Sequence, residues 1–149
     1  SPVYAYGEGL IIRADDNAAY PDLSPLKDQV VGVQAGTIFY DQLNKLGIFK
    51  EIRTYDSIGE MIRDLSLGRI KAAVGDQPVV AYQIRQNLFK GVKLAADYKP
   101  TNVGEVCLVV RKGDTETLER LNQAIASIKA DGTLASILKK WGLDAQVNL

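Results

Sequence analysis

Apolar positions in this sequence occur in two patterns, short continuous runs and longer segments in which they recur every three or four residues. The runs predict strands over residues 9–13, 30–33, 51–55, 70–76 and 91–97. The spaced segments between them predict helices, with short joins to the strands. This alternating order predicts an α/β fold with a parallel or mostly parallel sheet, because right-handed crossovers connect such strands.

Capping and turn residues mark where the predicted helices begin and end. Ser24 followed by Pro25 predicts a short helix with the serine as its cap. A second helix is predicted from about Thr37 to Leu46, and Gly47 ends it.

The pattern changes after residue 99. A strand is predicted over residues 105–112, with Cys107 as a small buried residue inside it. A long helix follows and stops at Gly132, and a last helix ends at Gly142. Residues 97–104, which include a proline and a glycine, are a candidate linker or hinge.

Composition excludes several classes of function. The 149 residues include 18 basic and 18 acidic side chains spread along the chain, so no electrostatic footprint for nucleic acid is present. The sequence has no histidine, which excludes the usual zinc sites and the Ser-His and Cys-His catalytic arrangements within this chain. No phosphate-binding glycine motif occurs, and we predict neither a metal nor a cofactor.

The first candidate for chemistry is the join between the second strand and the following helix, formed by Gln34, Ala35, Gly36 and Thr37. A helix start leaves backbone N–H groups unpaired, and glycine lets a ligand approach them, so this turn is suited to a carboxylate. The simpler interpretation is that Thr37 caps its helix and Gly36 makes the turn.

The second candidate is Asp76, which lies at the end of a predicted strand and two residues before Pro78. It is either the cap of the next helix or a carboxylate that faces the same crevice as Thr37 and pairs with an amine. A site for an anion beside a carboxylate for a cation would bind a zwitterion, such as an α-amino acid.

Three long segments carry a resemblance to a known family. The chain resembles the amino-acid-binding periplasmic solute-binding proteins of ABC importers, from about Tyr4 to Gly142, in the segments DLSPLKDQVVGVQAGT, YDSIGEMIRDLSLGRIKAAVGDQPVVAY and CLVVRKGDTETLERLNQAIASIKADGTLASILKKWG. The resemblance implies a two-lobed clamp of periplasmic-binding-protein type. In this family the turn matching Gln34 to Thr37 binds the α-carboxylate of the ligand, and the aspartate matching Asp76 receives its ammonium.

By the family pattern, the chain divides into four segments. Residues 1–8 are the first crossing between lobes, 9–97 a three-layer ligand-binding lobe, 98–104 the second crossing or hinge, and 105–149 the closing part of the other lobe. By the same pattern, we expect this chain to lack the first part of that other lobe, with the family's ligand-sandwiching aromatic residues and carboxylate-binding arginine. We therefore expect self-association or pairing with the missing segment, since the apolar helix face at Leu118, Leu121, Ile125 and Ile128 would otherwise be exposed.

The resemblance implies binding of a polar amino acid outside the cytoplasm, in the periplasm or an equivalent compartment, for delivery to an ABC transporter permease. Two alternatives stay open: the ligand-sensing domain of a membrane receptor, and a dehydratase of the same fold. The enzyme is the weaker alternative, because no pair of carboxylates or other acid-base constellation is evident in the sequence.

Overall fold

The structure is a computed structural model that describes residues 1–101, 103–141 and 143. The chain forms two compact units. Gly7–Asn102 make the larger unit, and Ser1–Tyr6 with Val103–Leu149 make the smaller one. These limits lie near the segment boundaries expected from the sequence, and the identification of the units as lobes stays a prediction.

The sheet of the larger unit has the strand order β3-β2-β4-β1-β5. Its strands are β1 (Pro2–Arg13, which begins in the smaller unit), β2 (Val30–Gln34), β3 (Glu51–Tyr55), β4 (Ala72–Asp76) and β5 (Val92–Leu94). β2 pairs in parallel with β3 and β4, whereas β1 pairs antiparallel with β4 and β5. Four strands thus share one direction and only β1 opposes them, which confirms the α/β class and shows the sheet to be mixed.

Three helices cover the two faces of this sheet: α1 (Ile38–Leu46), α2 (Ile58–Ser66) and α3 (Gln77–Arg85). Leu10 and Val33 belong to the buried cluster that includes Phe39 and Leu43 of α1. Ile11 and Ala73 belong to the opposite cluster, with Met61 and Ile62 of α2, Val80 of α3 and others. The period-two alternation of strand side chains therefore builds the predicted three layers.

Two serines stand at helix starts of the larger unit, and one of them differs from the prediction. Ser24 is the first residue of a 3-10 turn, Ser24–Leu26, and makes no side-chain cap; its own N–H donates instead to the Asp22 carboxylate at 2.7 Å. Ser57 does cap α2, accepting from the Glu60 N–H at 3.2 Å. The prediction of a serine cap is thus wrong at Ser24, because the N-cap position of the turn lies one residue earlier, at Leu23, and the Ser24 N–H is satisfied by Asp22.

The smaller unit contains β6 (Val103–Cys107), which pairs with β1, and the helices α4 (Thr115–Ala130) and α5 (Thr133–Lys140). The N-terminal ammonium of Ser1 donates to Asn122 Oδ1 at 2.8 Å, and Lys129 Nζ donates to the Pro2 carbonyl at 2.8 Å. These contacts fasten the first residues of the chain to α4. The predicted helix end at Gly142 lies outside the described residues.

Two expectations for this unit are wrong, the first wholly and the second in part. Cys107 is exposed, because β6 ends there and the strand alternation places Val103, Glu105 and Cys107 on its exposed side. On α4, Ile125 is buried, and of the four predicted apolar positions only Leu118 is exposed.

Candidate functional site

Two strand ends bring the predicted site residues to one edge of the larger unit's sheet. β2 and β4 are neighbouring parallel strands in which Val33 lies opposite Val74. The turn at residues 34–37 follows β2, and Asp76 is the last residue of β4. Because carboxyl ends of adjacent parallel strands meet at the same edge, the turn and Asp76 share that edge, where open α/β sheets bind ligands.

Thr37 begins α1 without capping it. The residue has extended backbone angles, φ −96° and ψ 156°, and its side chain accepts no hydrogen bond from the first turn. Its hydroxyl donates in the opposite direction, to the Gln34 carbonyl oxygen at 2.8 Å. The helix N-terminus, with its partial positive charge, therefore has no side-chain oxygen over it.

Gly36 holds the turn in a conformation that favours glycine. Its φ is +73°, in the left-handed region, and a Cβ added there would meet no atom within 4 Å. The position thus requires glycine for its backbone angle rather than for lack of space. The open space beside it is what a ligand would use to reach the backbone.

The N–H groups of the turn are not equivalent. The N–H of Ala35 donates to the Tyr55 carbonyl at 2.8 Å and so extends the β2–β3 pairing. In the part of the chain that the structure describes, no acceptor takes the N–H of Gly36 or of Thr37. Of the four predicted residues, Gly36 and Thr37 therefore offer open donors, Ala35 has its donor engaged, and Gln34 contributes its carbonyl to the turn.

Asp76 does cap its helix. It is the N-cap of α3, and its Oδ1 accepts from the Val79 N–H at 3.2 Å. Among the described residues, no hydrogen bond or ion pair reaches its Oδ2. The two interpretations of Asp76 are therefore compatible, since capping uses one carboxylate oxygen and leaves the other.

The surroundings of Asp76 favour a cationic partner. The side chain is half-buried, and this burial raises the pKa of its carboxyl, an effect that the Val79 hydrogen bond partly offsets. A carboxylate that has lost hydration without gaining a positive neighbour is stabilised when a cation binds. Asp76 thus carries unmatched negative charge close to the open, electropositive end of α1.

Sequence reasoning missed Glu8, a buried carboxylate next to this site. Glu8 is 2% exposed and is paired with Asp76 across the β1–β4 ladder. Its Oε1 accepts hydrogen bonds from the Tyr98 hydroxyl at 2.9 Å and from the N–H and hydroxyl of Thr101 at 2.6 and 2.8 Å. The one clue in the sequence is an acidic residue between two glycines at the start of an apolar run.

A concave pocket in the larger unit lies beside Glu8 rather than at the predicted site. It has a volume of about 240 Å³, and its walls include Leu43, Lys45 and Thr101. Neither Thr37 nor Asp76 lines it. We place the candidate site at the two strand ends, because donors and an acceptor of opposite charge converge there, whereas the pocket offers volume without such an arrangement.

No group of three or more metal-ligating side chains occurs within residues 1–101, 103–141 and 143.

Comparison with protein-family models identifies the family of the chain. The model of the bacterial extracellular solute-binding proteins, family 3, matches residues 1–144. The chain belongs to this family. The resemblance inferred from the sequence is thus confirmed.

Two curated relatives of this solute-binding protein are named for an amino acid. ABC transporter arginine-binding protein 1 of Escherichia coli (strain K12) is 30% identical over 142 residues, which cover 95% of this chain and 57% of the relative. The histidine-binding periplasmic protein of Salmonella typhimurium is 32% identical over 146 residues, which cover 93% of this chain and 55% of the relative. The chain spans about half the length of these relatives, and both are binding proteins rather than enzymes.

Solved structures agree with the fold. An ancestral arginine-binding protein bound to glutamine has a TM-score of 0.66 and 30% identity, with 96% of this chain and 62% of the other covered. The ancestral amino-acid-binding protein AncCDT-1, a precursor of cyclohexadienyl dehydratase, has a TM-score of 0.71 and 28% identity, with 95% and 59% covered. A histidine kinase sensor domain also shares the fold. It has a TM-score of 0.73 and 22% identity, with 94% of this chain and 60% of the other covered.

The family description places these solute-binding proteins outside the cell, and the Salmonella relative is named as periplasmic. Among the residues that the structure describes, no helix combines the length and the apolar character needed to cross a bilayer.

Proposed function

We propose that the complete protein binds a polar amino acid outside the cytoplasm and delivers it to the permease of an ABC transporter. The observation that carries the proposal is the convergence at one sheet edge of an uncapped helix N-terminus and a carboxylate with a free oxygen. Opposite charges at the same sheet edge fit the two charged groups of an α-amino acid.

The α-carboxylate would lie against the start of α1. The N–H groups of Gly36 and Thr37 are open there, and the helix dipole adds partial positive charge. The Thr37 hydroxyl would stay on the Gln34 carbonyl, its present acceptor, so the backbone N–H groups would make the main contacts with the carboxylate.

The α-ammonium would pair with Asp76. Its Oδ2 accepts no other hydrogen bond within the described residues, while Oδ1 stays on the Val79 N–H. A charge-assisted hydrogen bond in a half-buried position is stronger than one in open water, so this pair supports both affinity and orientation.

The amino-acid class rests on the relatives. The curated proteins matched here are named for arginine, histidine and cystine, all of which have polar side chains. The same names support a transporter permease as the partner. Because the chain spans 57% of the arginine-binding relative, we propose that the remaining contacts come from a segment or second copy that completes the other lobe. The chain alone should then bind amino acids weakly.

Ligand analogues test the zwitterion site directly. The complete protein is screened against the standard amino acids by titration calorimetry, and the tightest ligand is compared with its deaminated and its decarboxylated analogue. We expect each analogue to bind at least about 100-fold more weakly, since each leaves one charged group of the site unpaired.

The matched control is the amino acid with an uncharged change in its side chain, which keeps both α-groups. An analogue lacking the ammonium that binds as tightly as its parent would contradict the proposed role of Asp76. No binding of any amino acid would contradict the proposed function as a whole.

A further inference from the structure

We propose that Glu8 is a positioning residue for ligand binding, because one oxygen of its carboxylate holds together the two places at which the chain enters and leaves the larger unit. The inference rests on the proposed function and deepens it. Glu8 itself is a buried residue of β1 and does not contact the ligand in this proposal.

The hydrogen bonds on Glu8 are unusually concentrated. Its Oε1 takes three donors, the Tyr98 hydroxyl and the N–H and hydroxyl of Thr101, at distances of 2.9, 2.6 and 2.8 Å. Glu8 is only 2% exposed, so water does not compete for this oxygen. Buried hydrogen bonds to a charged acceptor are among the stronger ones in proteins.

The hydrogen bonds of Glu8 connect the two ends of the larger unit. The larger unit runs from Gly7 to Asn102. Glu8 is the second residue of that unit and Thr101 the second from its end, 93 positions apart in the sequence. A single carboxylate therefore fixes the separation of the only two chain connections that this unit has.

The same residue is linked to the candidate site through the sheet. Glu8 is the register partner of Asp76, and Gly9 pairs with Gly75 on the same ladder. A shift of β1 at Glu8 would carry the end of β4 with it. Loosening the carboxylate should therefore disturb the ammonium-binding oxygen as well as the two connections.

A second carboxylate network in the same unit offers a matched control. Asp16 accepts from Lys71 Nζ at 2.6 Å, the Tyr20 hydroxyl at 3.0 Å and the Ala18 N–H at 3.0 Å. It is 9% exposed and follows the other end of β1, beyond Arg13. It resembles Glu8 in being buried and in accepting several hydrogen bonds, but it lies beyond the other end of β1 from Glu8.

The experiment compares Glu8→Gln, Tyr98→Phe and Asp16→Asn in the complete protein. The probe is the standard amino acid that the wild type binds most tightly, measured by calorimetry alongside thermal unfolding. We expect Glu8→Gln to weaken binding by about tenfold or more, the size expected when charged hydrogen bonds are lost, and Tyr98→Phe to weaken it less. Asp16→Asn should lower the unfolding temperature and leave the affinity within about twofold.

Amide hydrogen exchange supplies a readout without ligand. In the wild type, the Thr101 N–H donates to the Glu8 carboxylate. This amide should exchange faster in Glu8→Gln and at an unchanged rate in Asp16→Asn. Tyr98→Phe removes one donor and keeps the charge, so it carries the test if Glu8→Gln does not fold.

Three results would overturn the inference: unchanged affinity in Glu8→Gln and Tyr98→Phe, an equal loss of affinity in Asp16→Asn, or unchanged exchange at Thr101. Each of these leaves amino-acid binding by the wild type intact, so the proposed function survives it. Failure of the wild type to bind any amino acid would instead remove both proposals together.

Discussion

The β2–α1 and β4–α3 connections have the same strand-to-helix order and opposite electrostatics. In each, a parallel strand leads to a helix with a polar N-cap residue, which is Asp76 at the end of β4 itself and Thr37 three residues after the end of β2. Asp76 turns its carboxylate onto the first turn of α3, whereas Thr37 turns its hydroxyl away, to the Gln34 carbonyl. One join therefore presents negative charge and the other an open, positive helix end.

The difference shows that a helix cap and a ligand site are not exclusive. A carboxylate has two oxygens, so Asp76 can cap α3 with one and bind a cation with the other. A hydroxyl has a single proton, and at Thr37 that proton is committed to the turn. Substitutions at the two joins should accordingly affect ligand affinity and folding stability in different proportions.

The largest effect is expected for Asp76→Ala in the complete protein. The change removes the partner of the ligand ammonium and should weaken amino-acid binding by about 100-fold or more, measured by calorimetry. It also removes the α3 cap, so the free energy of unfolding should fall by about 1 kcal/mol in a denaturant titration.

Asp114 is the matched control for Asp76→Ala. It is the N-cap of α4 and accepts from the Thr117 N–H at 3.0 Å, the same capping geometry in the smaller unit. Asp114→Ala should lower stability by a similar amount and leave affinity unchanged. Equal losses of affinity in both variants would show that Asp76 acts only through its helix.

The second effect is a loss of affinity on acidification. Burial raises the pKa of Asp76 in the free protein, and only its deprotonated form attracts an ammonium. Affinity should therefore hold at neutral pH and fall by up to tenfold per unit as the pH drops below that raised pKa, because binding there must release the proton held by the Asp76 carboxyl. Calorimetry between about pH 4 and 7 would measure it.

The isosteric variant Asp76→Asn separates this titration from others. Its residual affinity should be independent of pH over the same range. Asp16 does not interfere, because, although burial acts to raise its pKa, the hydrogen bonds from Lys71, Ala18 and Tyr20 lower it to about 2. A pH profile in Asp76→Asn that matches the wild type would assign the titration to another group.

The third effect concerns the backbone of the turn. Gly36→Ala puts a side chain at φ +73°, which should cost about 1 kcal/mol of stability and shift the N–H groups that face the ligand. Because the residue stands at the proposed carboxylate position, we expect affinity to fall by roughly tenfold in calorimetry.

Gly113 provides the control for Gly36→Ala. Its φ is +90°, and an added Cβ would likewise meet no atom within 4 Å, but it lies in the turn before α4. Gly113→Ala should cost comparable stability without changing affinity. If Gly36→Ala binds as tightly as the wild type, the turn is not a ligand contact.

The sequence predicts much of the layered fold but not the antiparallel direction of β1. Apolar alternation and capping residues locate every strand and helix of the larger unit, because these patterns are local. The sequence places the start of the first strand at Gly9, whereas β1 begins at Pro2 and runs opposite to the other four strands of the larger unit, pairing with β4 and β5. That direction depends on where the chain arrives from the smaller unit, which no local pattern records.

The candidate site shows the same limit. Thr37 and Asp76 stand out locally, because polar residues that end a buried strand are visible in the sequence. Glu8 does not, because its donors Tyr98 and Thr101 lie 90 and 93 residues away. The direction of the Thr37 hydroxyl cannot be predicted from the sequence either. A threonine can cap the helix that follows or donate to a preceding carbonyl such as that of Gln34, and both need the same residue type.

The smallest effect should come from Thr37→Val, which removes the hydroxyl and keeps the shape. Since this hydroxyl donates to Gln34 and does not cap α1, affinity should fall only about two- to threefold in calorimetry, while the backbone N–H groups keep the carboxylate. Thr37→Ser restores a hydroxyl and should restore affinity. A loss as large as that of Asp76→Ala would mean that the hydroxyl turns toward the ligand and carries the carboxylate contact, and the contrast between the two joins would then disappear in the bound state.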